Sequence, residues 1–219
     1  MQIGIDLGAT KIESVLLDNE GNELHRSRKN SPQNYKETIG AISESVTLIE
    51  KEFKKKLNVG VCHPGSTNSD TGLIQNAFNS PWLNNMKFSK DISQNLNRQV
   101  MCENDANCFA LSESIDGSAK HYSIVFGIIL GSGCGGGLVI NKKIQVGANL
   151  LAGEWGHVPL GSVKEKINIQ DHISGKGLEK KYFKKSNKKL TAEEIFLKSK
   201  DRSSNEYSFT NEFLENLGL

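Results

Sequence analysis

The sequence predicts an α/β fold in which helices pack against layered β-sheets. Short apolar runs rich in β-branched residues alternate with stretches of helical periodicity. These elements follow the order β-β-β-α-β-α-β-α-β-β, and such a mixture is typical of α/β proteins. With 219 residues, the chain is also long enough to bury a substantial core in one large domain or two small ones.

Three predicted strands open the chain. Residues 2–7 form a short apolar run, ESVLLD at 13–18 forms a second, and residues 23–28 form a third. The turn residues NEGN at 19–22 join the second strand to the third. The three strands are therefore expected to form an antiparallel meander.

A long amphipathic helix is predicted next. Its apolar residues recur every three or four positions and therefore share one helix face. These residues are Tyr35, Ile39, Ile42, Val46, Ile49 and Phe53. Lysines at 54–56 follow, and positive charge favours the carboxyl end of a helix.

The remaining elements are predicted from the same patterns. Strands are expected at NVGVCH (58–63), QVMCE (99–103), YSIVFGIIL (122–130) and LVIN (138–141), with helices near 88–96 and 106–114. After Leu160 the chain becomes lysine-rich, and Thr191 with Glu194 forms a capping-box signature for a further helix. A short last helix is predicted from Phe209, Phe213 and Leu217.

Composition and charge exclude several classes of protein. The formal net charge is only +2, so nothing global favours nucleic acid or an anionic membrane. Four scattered cysteines without a CxxC pair are typical of a reducing compartment, and they are Cys62, Cys102, Cys108 and Cys134. The start does not resemble a signal peptide, and no window approaches the roughly 20 apolar residues of a membrane span. We therefore expect a soluble, cytoplasmic protein that binds neither nucleic acid nor membrane.

DLGATK, residues 6–11, lies at the end of the first predicted strand. A tight glycine turn exposes backbone N–H groups and can form an anion-binding nest. Thr10 adds a hydroxyl group and Lys11 a positive charge. A hairpin with ordinary polar turn residues is the alternative.

GSGCGGGL, residues 131–138, is a second glycine cluster. It contains a GxGxxG pattern at Gly131, Gly133 and Gly136. A dinucleotide-binding fold needs a helix after these glycines, but β-branched residues follow here. The sequence also lacks the GxxxxGK[ST] pattern of a P-loop. We therefore expect a glycine hairpin whose amides can approach a phosphate closely.

Two further motifs contain acids or histidine. ENDANC places Asp105 between a strand and a helix, where a carboxylate can accept a proton from a hydroxyl nucleophile. An N-cap role for Asn104 or Asp105 is an equally simple alternative. GEWGH adds Glu154 and His157. His157 is either a structural histidine or a metal ligand, but it lacks the nearby cysteine or histidine partners of a zinc site.

Five motifs together resemble, in order and spacing, the ROK family of bacterial sugar kinases and sugar-responsive repressors. They are DLGATK, CHPGS, ENDANCFALSE, LGSGCGGGL and AGEWGHVPL, and the likeness is dense over residues 1–160 and most similar to the fructokinase/mannokinase branch. The resemblance implies an actin-like ATPase (ribonuclease H-like) fold with two α/β domains that close on sugar and ATP. The expected domains are residues 1–115 and an incomplete second domain at 116–219.

The resemblance also implies roles for individual residues. Asp105 would be the general base that deprotonates a sugar hydroxyl for attack on the γ-phosphate, with Mg²⁺ bridging the phosphates of ATP. The phosphate-binding residues would be Asp6, Gly8, Ala9, Thr10, Lys11, Gly131, Ser132, Gly133, Gly135, Gly136 and Gly137. The sugar-binding residues would be Gly65, Asn76, Asn104, Asp105, Glu154, His157 and Gln170. Ala9 stands where the family usually has glycine, an exchange that is mild if φ is negative there.

The sequence departs from the family pattern in two places. The family's kinases bind zinc through the histidine of the GH motif and a cysteine cluster, but the shortened GSVKEK segment has no cysteine. Asn168 stands in place of the last cysteine and Gln170 in place of a sugar-binding glutamate. His157 is then a metal ligand without zinc partners, and zinc is not expected. The chain also stops before the family's adenosine-binding glycine turn, so YSIVFGIIL is expected to be partly uncovered or buried against another chain.

These observations favour an ATP-dependent hexose kinase with fructose or a similar hexose as its substrate. The alternative is a sugar-binding remnant of such a kinase with impaired catalysis, which Gln170 and the missing cysteines favour. A repressor would need an amino-terminal winged helix, whereas Met1 lies one residue before the first strand. The expected partners are a small-molecule sugar, ATP and, in a homo-oligomer, further copies of the chain.

Overall fold

The computed structural model describes residues 1–160 and 167–218. The chain divides into two compact units, Met1–Cys108 and Phe109–Leu219. The domain boundary expected after residue 115 stays a prediction. The GSVKEK segment, on which the missing cysteines were noted, lies outside the described residues.

The helices and strands follow the predicted order with several additions. Within the described residues the strands are β1 (Gln2–Leu7), β2 (Lys11–Leu17), β3 (Glu23–Asn30), β4 (Asn58–His63), β5 (Ser66–Thr67), β6 (Ile74–Gln75), β7 (Met101–Asn104), β8 (Ile124–Leu130), β9 (Cys134–Ile140) and β10 (Lys143–Gln145). The α-helices of the same residues are α1 (Tyr35–Phe53), α2 (Phe88–Asn95), α3 (Asp105–Ile115), α4 (Gln170–Ile173), α5 (Gly175–Ser186), α6 (Ala192–Lys198) and α7 (Asn205–Leu217). Single 3-10 turns occupy Pro81–Leu83 and Trp155–His157. None of the helices described is long and apolar enough to cross a membrane.

A five-stranded mixed sheet organises the first unit. Its strand order is β3-β2-β1-β4-β7. The predicted meander is confirmed, because β1, β2 and β3 pair antiparallel in sequence. Strands β4 and β7 continue the sheet parallel to β1. The carboxyl ends of these three parallel strands therefore lie along one edge of the sheet, where α/β proteins commonly bind ligands.

The core of the first unit consists of alternate strand residues and the apolar faces of α1 and α2. Ile3 and Ile5 of β1, Ile42 and Val46 of α1, and Phe88 of α2 are all buried in one cluster. Successive strand residues point to opposite faces of a sheet, which explains why every second residue of β1 is buried.

The ends of α1 have the capping interactions that its sequence allows. The Asn34 side chain accepts a hydrogen bond from the Glu37 N–H at 2.9 Å, as an N-cap residue does. At the other end Lys54 adopts the left-handed conformation, with φ 50°, and its N–H donates to the Glu50 carbonyl. The helix predicted from Tyr35 to Phe53 is confirmed.

Gly40 is a position in α1 at which replacement by alanine is expected to stabilise the protein. It lies on the exposed side of the helix, and a Cβ added there would meet no heavy atom within 4 Å. Glycine loses more backbone entropy in a helix than alanine, so Gly40→Ala is expected to raise the free energy of unfolding by about 0.5–1 kcal/mol. Urea denaturation followed by circular dichroism measures this change. A lower urea midpoint for the variant would contradict it.

The second unit combines a small sheet with a cluster of helices. The sheet has the order β10-β9-β8 and is antiparallel throughout. Tyr182 of α5 and Ile195 of α6 are buried in a separate helical core. The predicted capping box of α6 is confirmed. The Glu194 N–H donates to Thr191 Oγ1 at 3.2 Å, and the Thr191 N–H donates to the Glu194 carboxylate at 2.8 Å.

The glycine hairpin is confirmed, but its turn is shorter than the sequence suggested. Only residues 131–133 lie between the paired strands, while residues 135–137 belong to β9 and pair with β8. A Cβ at Gly136 would lie 2.9 Å from Trp155 Cδ1 and 3.0 Å from the Gly127 carbonyl oxygen. These glycines therefore permit close packing on a strand, whereas glycine clusters more often indicate turns.

A few elements were not predicted or have different ends. The paired strands β5 and β6, the strand β10 and the helix α4 contain only two to four residues each. Such short elements show no recognisable hydrophobic period. Helix α3 begins at Asp105, one residue earlier than predicted, and β3 extends to Asn30.

One face of strand β8 is covered at Val125 and Gly127, and the other face is open. On the covered face, Val125 is buried, and Gly127 lies so close to Ala110 of α3 that a Cβ would lie 2.8 Å from the Ala110 methyl group. The open face carries four large apolar side chains. They are Ile124, Phe126, Ile128 and Leu130, with exposed fractions of 65%, 42%, 48% and 43%. The partial exposure predicted for this strand is therefore observed.

Candidate active site

DLGATK forms the tight turn between β1 and β2. The Gly8 N–H donates to the Lys11 carbonyl at 2.9 Å, and a Cβ at Gly8 would lie only 3.1 Å from the same oxygen. Ala9 does not adopt a positive φ. The condition under which the exchange of glycine for alanine is mild is therefore met, and Ala9 is accommodated without left-handed strain.

Two contacts hold this turn against the end of β3 and the residues that follow it. The Gln33 side-chain amide donates to the Ala9 carbonyl at 2.9 Å. The Lys11 ammonium group donates to the side-chain oxygen of Asn30. A turn that is fixed in this way keeps its backbone amides in one arrangement, which an anion-binding nest requires.

Four residues that the sequence assigned to sugar binding lie together in the first unit. Asn104 Nδ2 donates to the Gly65 carbonyl and to Asp105 Oδ1, both at 3.0 Å. Gly65 has a φ of 79° and lies against the backbone around Asn76, so that a Cβ would approach the Ala77 nitrogen to 2.9 Å. Asn76 itself is left-handed, with a φ of 60°. The sheet edge therefore gathers Gly65, Asn76, Asn104 and Asp105.

The capping interpretation of ENDANC is confirmed for Asn104. The Asn107 N–H donates to Asn104 Oδ1 at 3.1 Å, which is the N-cap interaction of α3. Asp105 Oδ1 accepts from the Ala106 N–H at 2.8 Å, and the residue is accessible to solvent. Because Asn104 caps the helix, the carboxylate of Asp105 is left available for proton transfer.

The surroundings of Asp105 raise the pKa of its carboxyl group above the ordinary 3.8. Partial removal of water by the surrounding protein is the main cause, since it penalises the charged form. The hydrogen bond from Ala106 opposes this change, the negative charge of Asp6 adds to it, and His63 acts in the opposite direction. A raised pKa makes the carboxylate a stronger general base.

Glu103 supports this arrangement from the end of β7. Its Oε1 accepts from the Asn104 N–H at 2.7 Å and from Asn107 Nδ2 at 3.1 Å. The carboxylate therefore holds both the cap residue and the first turn of α3. Sequence analysis missed this role, although the four-residue spacing of Glu103 and Asn107 was a usable signal.

His63 was also missed as a structural residue of the site. It is fully buried, and its ring packs edge-on against Phe88 with 5.4 Å between the ring centroids. Its Nδ1 lies 3.1 Å from the Pro64 carbonyl and its Nε2 lies 3.3 Å from Thr67 Oγ1. Burial lowers the pKa of His63. These contacts of the buried ring fix the loop that contains Gly65.

Two cysteines lie beside the carboxylate of Asp6. Cys62 Sγ is 3.4 Å from Asp6 Oδ1 and 3.4 Å from the Ile5 carbonyl oxygen. Cys108 lies one turn after Asp105 in α3. The interaction between the Cys62 and Cys108 thiols, together with burial, raises the pKa of Cys62, and the same interaction lowers the pKa of Cys108. Neither sulfur is fully buried.

In the second unit, the turn of the glycine hairpin is tied to the start of α5. The Gly131 N–H donates to the Gly133 carbonyl at 3.0 Å, and the Gly175 N–H donates to the Gly131 carbonyl at 2.8 Å. Gly131 and Ser132 are exposed at the tip of the turn. The turn is thus both fixed and open to solvent, which suits a loop that contacts an anion.

Glu154, His157 and Gln170 are neighbours in the second unit. His157 Nε2 lies 3.8 Å from Glu154 Oε2, and Gln170 Nε2 lies 3.4 Å from His157 Nδ1. Gln170 also lies over the glycine turn, since a Cβ at Gly133 would be 3.0 Å from Gln170 Oε1. Within residues 1–160 and 167–218, no group of three or more histidine, cysteine or acidic side chains is arranged to hold a metal ion.

Close packing on the hairpin fixes the segment that carries Glu154 and His157. Trp155 Nε1 donates to the Gly135 carbonyl at 2.9 Å, and its ring packs edge-on against Phe126. A Cβ at Gly156 would lie 2.8 Å from the Cys134 Cβ, and a Cβ at Gly153 would overlap the Gly136 carbonyl. The GEWGH glycines therefore allow the segment to lie directly on β9.

The fold matches those of solved structures. Over 99% of this chain, the structure resembles the ROK hexokinase from Thermus thermophilus with a TM-score of 0.85 at 22% identity, covering 74% of that chain. It resembles the ROK family glucokinase from Streptomyces griseus in complex with glucose and AMPPNP with a TM-score of 0.78 at 22% identity, over 99% of this chain and 76% of that one. The chain therefore has the actin-like ATPase fold, as predicted.

A sequence profile described as "ROK family" matches residues 2–219, and the chain belongs to the ROK family. The N-acetyl-D-glucosamine kinase of Histophilus somni (strain 129Pt) is 34% identical over 233 residues, covering 98% of this chain and 76% of that protein. The family resemblance found in the sequence is thus confirmed. The narrower placement in the fructokinase/mannokinase branch is not supported, because this relative has the name of an N-acetylglucosamine kinase.

Proposed function

We propose that this protein is an ATP-dependent sugar kinase that transfers the γ-phosphoryl group of MgATP to a hexose hydroxyl, with Asp105 as the general base. The observation that carries the proposal is the environment of the Asp105 carboxylate. Asn104, and not Asp105, caps α3, and the pKa of the Asp105 carboxyl group is raised. A solvent-accessible carboxylate at the carboxyl edge of a parallel sheet suits proton abstraction from a hydroxyl group.

In the proposed reaction, a carboxylate oxygen of Asp105 accepts the proton of the attacking sugar hydroxyl. The sugar oxygen forms a bond to the γ-phosphorus, and the bond from that phosphorus to the β–γ bridging oxygen breaks, so that ADP leaves with the electron pair. Mg²⁺ enters with ATP as part of the substrate and neutralises phosphate charge. The protein's task is then to position the groups and to supply the base.

The sugar-binding residues proposed in the first unit are Gly65, Asn76 and Asn104. A sugar hydroxyl is both donor and acceptor, and it needs partners whose positions are fixed. Asn104 meets this requirement because its two side-chain atoms are held by Gly65, Asp105 and Asn107. In the second unit we propose Glu154, His157 and Gln170 as sugar-binding residues, since short distances and charge link the three side chains.

Each of the two glycine turns is proposed as a phosphate-binding loop for ATP. The turn after β1 has Gly8, Ala9, Thr10 and Lys11 after Asp6, and the turn after β8 has Gly131, Ser132 and Gly133. Both turns are tied to neighbouring segments by hydrogen bonds. Three further glycines that the sequence assigned to the second phosphate loop lie in β9 instead, and they are Gly135, Gly136 and Gly137. We propose that they support the turn by close packing.

An N-acetylhexosamine is the sugar that we propose first, with fructose as the runner-up. The name of the Histophilus somni relative favours N-acetylglucosamine, and that protein shares 34% of its aligned residues with this chain. Gln170 offers an amide, which can both donate and accept hydrogen bonds to a hydroxyl or an acetamido group. Cytoplasmic location and homo-oligomeric assembly remain predictions from the sequence.

A sugar-binding protein without catalysis is the second candidate function. The neutral Gln170, in place of the charged residue expected from the family pattern, favours it. Binding needs the fixed polar groups around Gly65 and Glu154, but it does not need a base. A requirement for Asp105 in ADP release therefore distinguishes the kinase from the sugar-binding protein.

ADP release from MgATP tests the proposal with four separate sugars, N-acetylglucosamine, fructose, mannose and glucose. We expect kcat/KM with N-acetylglucosamine to exceed that with fructose at least roughly tenfold, a difference of about 1.4 kcal/mol in transition-state binding. Calorimetric titration of each sugar is the matched measurement. Binding without ADP release from folded protein would favour the second candidate, and neither binding nor release would refute both.

A further inference from the structure

A large aromatic side chain is exposed in the loop that follows β6. Phe78 is 67% exposed, whereas Ala77 before it and Ser80 after it are fully buried. The Ser80 N–H donates to the Ala77 carbonyl at 3.1 Å, and the Ala77 N–H donates to Asn84 Oδ1 at 2.9 Å. The fixed backbone therefore presents Phe78 to solvent. A single exposed apolar residue is common on protein surfaces, so the significance of Phe78 lies in its position.

Direct contacts place Phe78 beside the sugar-binding residues proposed in the first unit. The Phe78 N–H donates to the Asn76 carbonyl at 2.9 Å, so the two residues share one tight turn. Between them lies Ala77, whose nitrogen would be 2.9 Å from a Cβ at Gly65. The Gly65 carbonyl in turn accepts from Asn104 Nδ2 at 3.0 Å. Phe78 therefore lies at the rim of this group of residues.

The group itself offers a sugar only glycine and polar side chains. Its members are Gly65, Asn76, Asn104 and Asp105. Small-molecule sites are usually lined by apolar and aromatic side chains, with a few polar groups that fix the orientation of the ligand. A pyranose with equatorial hydroxyls has ring faces made of axial C–H groups. Such a face is apolar, and its hydrogens suit the electron-rich face of an aromatic ring.

We propose that Phe78 is a specificity-determining residue that packs its ring against the C–H face of a pyranose held by Asn76 and Asn104, an assignment that rests on the proposed function. The ring takes no part in proton or phosphoryl transfer. It favours N-acetylglucosamine and glucose, which have a ring face free of axial substituents. Fructose is disfavoured, because hydroxyl or hydroxymethyl groups project from both faces of its ring.

Calorimetric titration of the full chain with N-acetylglucosamine tests the contact. Phe78→Ala is expected to lower the affinity about tenfold, the usual size of one aromatic contact. Phe78→Tyr keeps the ring and should stay within about twofold of the unmodified chain. Leu48→Ala is the matched control, because it removes a 59% exposed apolar side chain from α1 of the same unit. Its affinity for the sugar should be unchanged.

Further measurements distinguish a sugar contact from a structural role. The urea midpoint of Phe78→Ala should equal that of the unmodified chain, since truncation of an exposed side chain changes stability little. In ADP release the loss should appear in KM with kcat unchanged, because the contact is equally strong in the ground state and the transition state. The affinity for fructose should fall less than about threefold, since its ring lacks the C–H face.

The outcomes separate this inference from the proposed function. An unchanged affinity of Phe78→Ala for N-acetylglucosamine would overturn the contact, and an equal loss for fructose would overturn the role in specificity. A lower urea midpoint with the same loss of affinity in Phe78→Tyr would assign Phe78 to the structure of the loop and also overturn the proposal. Sugar binding that depends on Phe78 in a folded chain that never releases ADP would support the contact and refute the kinase proposal instead.

Discussion

Replacing Asp105 by asparagine is expected to lower sugar-dependent ADP release by roughly 100- to 10,000-fold, the usual contribution of a general base. Asparagine keeps an oxygen that can accept from the Ala106 N–H and from Asn104 Nδ2, the two bonds that Asp105 Oδ1 makes now. It cannot accept the proton of the sugar hydroxyl. The variant should therefore fold and bind sugar, and its loss should appear mainly in kcat.

Asp116→Asn is the matched control for this substitution. Asp116 is an exposed acid just beyond the end of α3, so the variant has the same change of charge without touching the site. Its ADP release should equal that of the unmodified chain. If Asp105→Asn released ADP as fast as Asp116→Asn, another group would have to be the base and the assignment of Asp105 would fail.

Gly65→Ala is expected to lower the free energy of unfolding by about 3 kcal/mol, since a strained backbone and a steric clash occur together. Gly65 has a φ of 79°, and an added Cβ would lie 2.9 Å from the Ala77 nitrogen and 3.1 Å from its Cα. The Gln75 carbonyl oxygen lies closer still, and because all three obstacles are backbone atoms, relief requires a shift of the loop. Such a shift would also weaken the hydrogen bond from Asn104 to the Gly65 carbonyl and lower sugar affinity.

The variant Gly72→Ala separates the strain of the left-handed backbone from the steric clash. Gly72 has a φ of 70°, but a Cβ there would meet no heavy atom within 4 Å. Only the left-handed strain remains, which costs about 1 kcal/mol for a residue with a side chain. Urea denaturation of both variants measures the difference. Equal losses for Gly65→Ala and Gly72→Ala would mean that contact with the backbone around Asn76 contributes nothing to the stability of the loop.

Elements with local signals were predicted well from the sequence. The apolar face and the caps of α1 lie within a single continuous segment, and the capping box of α6 needs only Thr191 and Glu194. The interactions that begin and end such helices join residues three to five positions apart. By contrast, β5 and β6 contain two residues each, and their pairing depends on the loop between them. No local sequence pattern predicts such a pair of strands.

In the candidate site, too, the sequence identified the motifs, but the contacts of individual residues depended on the tertiary structure. Sequence motifs identified Asp105 as a possible base, but the adjacent Asn104 is an equally good capping residue. The Asn107 N–H donates to Asn104 and so identifies Asn104 as the cap, while the role of Asp105 as base stays a prediction. The glycines at 135–137 are a similar case, because their sequence is equally compatible with a turn and with a tightly packed strand.

The amino-acid order alone was sufficient for the family, the α/β class, the long helix α1 and the motifs that contain the candidate residues, because each rests on a local pattern or on motif order. Tertiary contacts were needed to bring Cys62 to Asp6 and Gln170 to the glycine turn, and to raise the pKa of Asp105. These features join side chains that are far apart along the chain. Their proximity depends on strand register and on close packing, and their charges respond to the water that packing removes.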